Sequence, residues 1–118
     1  MKTTKKHFEI FKKECQKWID FFGLSEYGIE FFHGEVDECR GSTTDYEHDM
    51  RIDLHLSAKL LNPSREMIAK TAFHEVCEAL LMRLRRLGDI YCSHEIVNKE
   101  VHAVIHKLEN SVFKSIKK

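Results

Sequence analysis

Thr71-Ala72-Phe73-His74-Glu75-Val76-Cys77-Glu78-Ala79-Leu80-Leu81 is the stretch on which fold and chemistry both turn. Residues four apart on an α-helix stand one turn above each other, with roughly 5–6 Å between their Cβ atoms. His74 and Glu78 therefore point at one place, and Glu75 stands beside them. Phe73, Val76, Cys77, Leu80 and Leu84 take the other side as an apolar, core-facing stripe. A helix that buries one flank and gathers an imidazole and two carboxylates on the other is suited to holding a divalent cation.

Outward from this helix the chain punctuates itself. Asn62-Pro63-Ser64-Arg65-Glu66 supplies its start: Pro63 keeps the preceding residue extended and Ser64 can cap the first turn. The spacing predicts a motif helix over 64–86, with Leu87-Gly88-Asp89 as its stop. Ser93 can cap a last helix over 93–116, antiparallel to the motif helix, whose apolar face is Val97, Val101, Val104, Ile105, Leu108 and Val112. Upstream, Phe8, Phe11, Cys15, Trp18, Ile19 and Phe22 recur at helical spacing, so a first helix is predicted over 5–22, with Gly23 where it stops. Between these helices the period changes to two. Tyr27–Gly34 reads as a strand and Gly41–Glu47 as a polar, Thr-rich second one. Met50–Ser57 alternates Ile52, Leu54 and Leu56 against Arg51, Asp53 and His55. Glu47-His48-Asp49 can serve as the hairpin turn. The expectation is an α+β fold: an N-terminal helix, a small antiparallel sheet of two or three strands within 27–57 with one wet face, the motif helix and the C-terminal helix.

Composition narrows the class. The 118 residues suit one domain, 1–118, and 42% apolar content with eight Phe suits an ordinary core. One Pro and five Gly argue against long disordered linkers. Lys plus Arg and Asp plus Glu number 19 each, so no global field draws the protein to nucleic acid or membrane. The basic ends (Lys2, Lys5, Lys6, Lys114, Lys117, Lys118) read as solvated tails. No apolar run approaches the ~20 residues a bilayer span needs. MKTTKKHFEIFKKE carries charges where a signal peptide needs its apolar stretch, and a cytoplasmic location is the expectation. Cys15, Cys39, Cys77 and Cys92 are scattered without a CxxC pair and read as free thiols.

In the HExxH motif two His bind zinc and the intervening Glu is the general base. Here Glu78 stands in the place of the second His, giving HExxE. Zinc accepts carboxylate oxygen as well as imidazole nitrogen, and two His with one Glu is a common catalytic set. A further His should therefore arrive from elsewhere. His102, 24 residues after Glu78 on the last helix, flanks the apolar face and can look along the groove between the helices. His106 one turn on, Glu95, His94 and Glu100 are the other options for the third ligand. Glu109 and Asn110 could orient a ligand from behind. Cys77 lies close by but belongs to the apolar stripe. His7, His33, His48 and His55 read as ordinary polar positions. Tyr91 and Tyr46 are the candidates for stabilising a developing oxyanion.

Phe11-Lys12-Lys13-Glu14-Cys15-Gln16-Lys17-Trp18-Ile19-Asp20-Phe21-Phe22-Gly23-Leu24, Ala72-Phe73-His74-Glu75-Val76-Cys77-Glu78 and His102-Ala103-Val104-Ile105-His106-Lys107-Leu108-Glu109-Asn110 together resemble small, often phage-encoded zinc metallopeptidases of a minimal zincin or SprT-like layout. The resemblance spans most of the chain, from Lys12 to Asn110. It implies one zinc ion on His74, Glu78 and His102, with Glu75 as general base for hydrolysis of a peptide bond. A sheet edge would hold the peptide or protein substrate as an added strand. Two other classes fit the same residues: an inactive metal-binding or protein-interaction module on this scaffold, and a metal-free polar cluster in an interaction domain.

Overall fold

The structure, a computed structural model, describes residues 3–34, 41–46, 51–58 and 63–116. In chain order it comprises α1 (Lys5–Phe22), β1 (Gly28–Gly34), β2 (Gly41–Tyr46), β3 (Arg51–Ser57), α2 (Arg65–Tyr91) and α3 (His94–Leu108). The last helix runs on through a π-helical turn, Glu109–Phe113, to a final turn, Lys114–Ile116. The α+β order of helix, sheet, helix, helix is the one the sequence predicts.

α1 starts where Thr4 accepts from the His7 backbone N–H, and ends at Gly23, whose φ of 70° takes up the left-handed conformation that Gly tolerates without strain. Its buried side, Phe11, Cys15, Trp18 and Ile19, packs on α2. Trp18 meets Phe73 edge to face with centroids 4.7 Å apart, and Phe73 meets Phe113 at 5.1 Å. One aromatic cluster thus ties α1, α2 and the end of the last helix together.

The sheet order is β1-β3-β2, and this departs from an all-antiparallel sheet. β2 and β3 pair antiparallel, with Thr43 opposite Leu54, but β1 runs parallel to β3, with Ile29 opposite Ile52. A central strand has two neighbours, and a hairpin sets the direction of only one of them. β3 takes the centre because Ile52, Leu54 and Leu56 are fully buried, whereas the polar β2 is left at an edge. The expected wet face of β3 is also largely covered: Asp53 and Ser57 are buried. Asp53 accepts from Arg51 Nε at 3.0 Å, which offsets the cost of burying its charge. The Glu47-His48-Asp49 turn lies outside the described residues.

α2 begins as expected, with Ser64 accepting from Met67 N. It passes the predicted stop and runs to Tyr91. Gly88 is there for closeness rather than for ending: a Cβ on it would lie 3.0 Å from Val97 Cγ2 of α3. Phe73, Val76 and Cys77 are buried and Leu80 is partly so, but Leu84 is 65% exposed, because α2 has by then outrun the body that covers its apolar stripe. The last helix, expected as one continuous α-helix, widens at Glu109–Phe113. Residues four apart drift by roughly 40° per step around an α-helix. The wider turn offsets that drift and keeps Glu109 and Phe113 on the buried side with Val101 and Ile105. No helix among the described residues is long and apolar enough to cross a membrane.

If Phe73 is the anchor of this packing, Phe73→Ala costs about 3–5 kcal/mol, whereas Leu84→Ala stays within about 0.5 kcal/mol of the parent. Urea unfolding of the two variants checks the assignment of the two residues to core and surface.

Candidate metal centre

α2 and α3 pack side by side, and three side chains meet in their groove. His74 and Glu78 come from successive turns of α2 and His102 from α3, one donor atom of each lying within 4.8 Å of the others. All three are half-buried, and no other group of three or more His, Cys, Asp or Glu among the described residues is so placed. The imidazoles of His74 and His102 are 5.5 Å apart, centroid to centroid.

Each imidazole is held from behind. His102 Nδ1 lies 2.8 Å from the Asn98 carbonyl oxygen, an acceptor only, so Nδ1 carries a ring proton and Nε2 is the nitrogen turned to the groove. That Nε2 faces Glu78 Oε2 at 3.5 Å. His74 Nδ1 faces Glu109 Oε2 at 3.4 Å, which likewise turns its Nε2 away from the carboxylate. Glu109 is buried on the π-helical turn, so the widened helix delivers a carboxylate to the back of His74. Backing of this kind is how metal-bound imidazoles are commonly oriented. With a neutral ring, the Nε2 lone pair and a carboxylate oxygen oppose each other across the groove. A cation between them, whether a metal ion or a second ring proton, turns that opposition into attraction. The donor set of two imidazoles and one carboxylate is one that zinc accepts, with room for a fourth ligand.

Glu75 stands apart from the three and is almost fully buried. It leans from α2 toward the edge strand β2, where the Thr43 hydroxyl lies 2.7 Å from its Oε1 and 2.9 Å from its backbone carbonyl oxygen. The single hydroxyl proton serves one of these acceptors at a time. Burial pushes the Glu75 carboxyl up to about 7; the Thr43 hydrogen bond opposes this and the nearby Glu78 adds to it. Residue 41 is Gly where β2 meets both β3 and α2: a Cβ there would lie 2.6 Å from the His55 carbonyl oxygen of β3 and 3.2 Å from Thr71 Cγ2 of α2. Farther along α2, Glu78 Oε1 accepts from Arg85 at 2.7 Å, and a cavity of about 250 Å³ opens between Thr43, Glu78, Met82, Arg85 and Arg86.

The other sequence candidates fall outside the cluster. His106 is exposed and faces the opposite oxygen of Glu109 at 3.2 Å. His94 is exposed and pairs with Asp89, and Glu95, Glu100 and Asn110 are exposed. His55 stacks on Phe32 on the sheet. Tyr91 is 85% exposed at the far end of α2, away from the groove. The side chain of Tyr46 lies outside the described residues. Cys77 is buried, and burial, helped by Glu109 and Glu78, pushes its thiol up to about 12, so it serves as an apolar filler. Cys15, Cys77 and Cys92 are free thiols, and Cys39 lies outside the described residues. Arg85, Asn98 and Thr43 are the participants that the sequence left unmarked. Arg85 follows Glu78 by two turns and Asn98 precedes His102 by one, spacings that could have pointed to them. Thr43 is a long-range neighbour with no local signal.

No family model, curated protein or solved structure matches the chain.

Added zinc is expected to raise the melting temperature of the chain, by an amount that grows with the logarithm of free zinc above its Kd. The gain disappears in His74→Ala and His102→Ala and persists in His106→Ala; thermal scans with and without zinc read all four proteins.

Proposed function

We propose that the protein is a zinc-dependent peptidase of zincin-like plan, with His74, Glu78 and His102 as ligands and Glu75 as general base. The observation that carries this reading is the convergence of those three donors in one groove, with a buried carboxyl of raised pKa one residue from the first ligand and turned toward an edge strand. A zinc ion held there supplies Lewis acidity, polarising a carbonyl and lowering the pKa of water to about 7. The chain's own residues do the rest. Glu75 takes the proton of the attacking water and passes it to the leaving amine. A carboxyl whose pKa lies near 7 is suited to both halves of that transfer. Thr43 holds the carboxyl against β2. β2 is an edge strand, so its outer backbone groups can pair with an extended peptide and lay it alongside α2. The substrate on this reading is an extended stretch of peptide or protein, and the resemblance of the helices to small zincin-type peptidases agrees with it.

A second reading is favoured by one specific observation. Glu78 is already engaged by Arg85 and Glu75 by Thr43, which suits a module that holds metal and binds a partner without turnover. The two readings part on Glu75. In the peptidase, Glu75→Gln keeps about one equivalent of zinc by elemental analysis and loses about 100- to 10,000-fold in peptide hydrolysis. Parent protein that binds zinc yet cleaves nothing in a broad peptide library, or a Glu75→Gln variant as active as the parent, would sink the peptidase reading.

A further inference from the structure

Four residues close a ring around one side of the groove. Arg85 donates through one guanidinium nitrogen to Glu78 Oε1 at 2.7 Å and through the other to Asn98 Oδ1 at 2.8 Å. The Asn98 carbonyl accepts from His102 Nδ1 at 2.8 Å, and His102 Nε2 faces Glu78 Oε2 at 3.5 Å. Two of the four are members of the metal-holding cluster, and the other two touch no ligand but these. From this geometry we infer that Arg85 is a positioning residue of the metal centre. It restricts Glu78 to one donor oxygen and, through Asn98, sets the helix pairing that carries His102. The inference rests on the metal reading proposed above and deepens it.

The physical case has three parts. A free carboxylate can bind a cation through either oxygen or both. With Oε1 committed to a charge-assisted bond, only Oε2 is turned toward His102 and the groove. The planar fork of an arginine is what lets one side chain serve acceptors on two helices at once, a task the single ammonium of a lysine does less well. Arg85 is also mostly shielded, with 21% of its side chain exposed, so its bonds to Glu78 and Asn98 are less screened than those of a surface pair. Its charge acts the other way, because a guanidinium beside Glu78 repels an incoming cation. Positioning and repulsion therefore predict opposite signs for its removal.

The experiment measures zinc affinity of the full-length protein by competition with a chromophoric chelator, and the visible spectrum of the cobalt-loaded form, for the parent, Arg85→Met, Arg85→Lys and Asn98→Ala. Loss of a residue that orients a ligand costs about 10–100-fold in metal affinity, and that loss is expected for Arg85→Met. Its cobalt bands should shift and weaken as Glu78 gains freedom to bind through both oxygens. Arg85→Lys, which keeps a contact to Glu78 alone, should recover part of the affinity. Asn98→Ala removes one arm of the fork without touching the other; it should fall between parent and Arg85→Met, and it decides the matter if Arg85→Met fails to fold. Unchanged or tighter zinc binding with an unaltered cobalt spectrum, in a parent that does bind zinc, overturns the positioning role alone. A parent that takes up no zinc overturns the metal reading and this one with it.

Discussion

The packing of Phe73 between Trp18 and Phe113 is the contact on which the rest of the molecule depends. It joins three segments far apart in sequence, and it fixes the rotation of α2 about its own axis. Once Phe73 is committed to the core, the next residue, His74, must turn toward α3, and Glu78 one turn later turns with it. The opposite constraint acts from the last helix. Phe113 can reach the cluster while Glu109 stays behind His74 because the helix widens between Leu108 and Lys114. A large buried apolar contact and a polar site are thus set by the same turn of backbone.

The site itself is an exercise in keeping charge company. Glu75, Glu78 and Glu109 all crowd one side of α2, and each has a partner of different origin: Thr43 from the edge strand, Arg85 from α2, and His74 and His106 across or along the helices. Burial raises the Glu75 carboxyl because its partner is a neutral hydroxyl, which compensates a charge poorly. Glu78 sits beside a guanidinium instead. Two carboxylates three residues apart on one helix are therefore given different environments, and different environments are what allow different chemical roles.

The edge strand matters as much as the helices. β2 touches Glu75 through Thr43, and at its first residue Gly41 leaves room for the His55 carbonyl of β3 and the Thr71 methyl of α2. At the other end of α2, Gly88 has the corresponding function toward Val97. Both glycines serve close approach. The C-terminal part of α2 leaves Leu84, Leu87, Ile90 and Tyr91 exposed, a stretch whose apolar character is spent outside the core.

Local chemistry was legible in the residues themselves. The first helix, with its Gly23 stop, was legible in the residues, and so were the Ser64 and Ser93 caps, the buried apolar side of β3 and the i, i+4 pairing of His74 with Glu78. Each of these depends only on neighbours within a turn or a strand. The sequence also narrowed the third member of the cluster to the last helix, but it left His102, His106 and Glu95 open, since the choice depends on how far α3 slides along α2. Tertiary structure made that choice by seating Val97 against Gly88 and turning His102 into the groove and His106 out of it. It likewise decided that β1 runs parallel to β3, that α2 outruns Gly88 and that Leu84 is bare. Thr43 and Arg85 became partners of the two glutamates in the same way. These outcomes are set by which surfaces meet at long range, and a one-dimensional pattern records a residue's preference for a surface without recording which surface it finds.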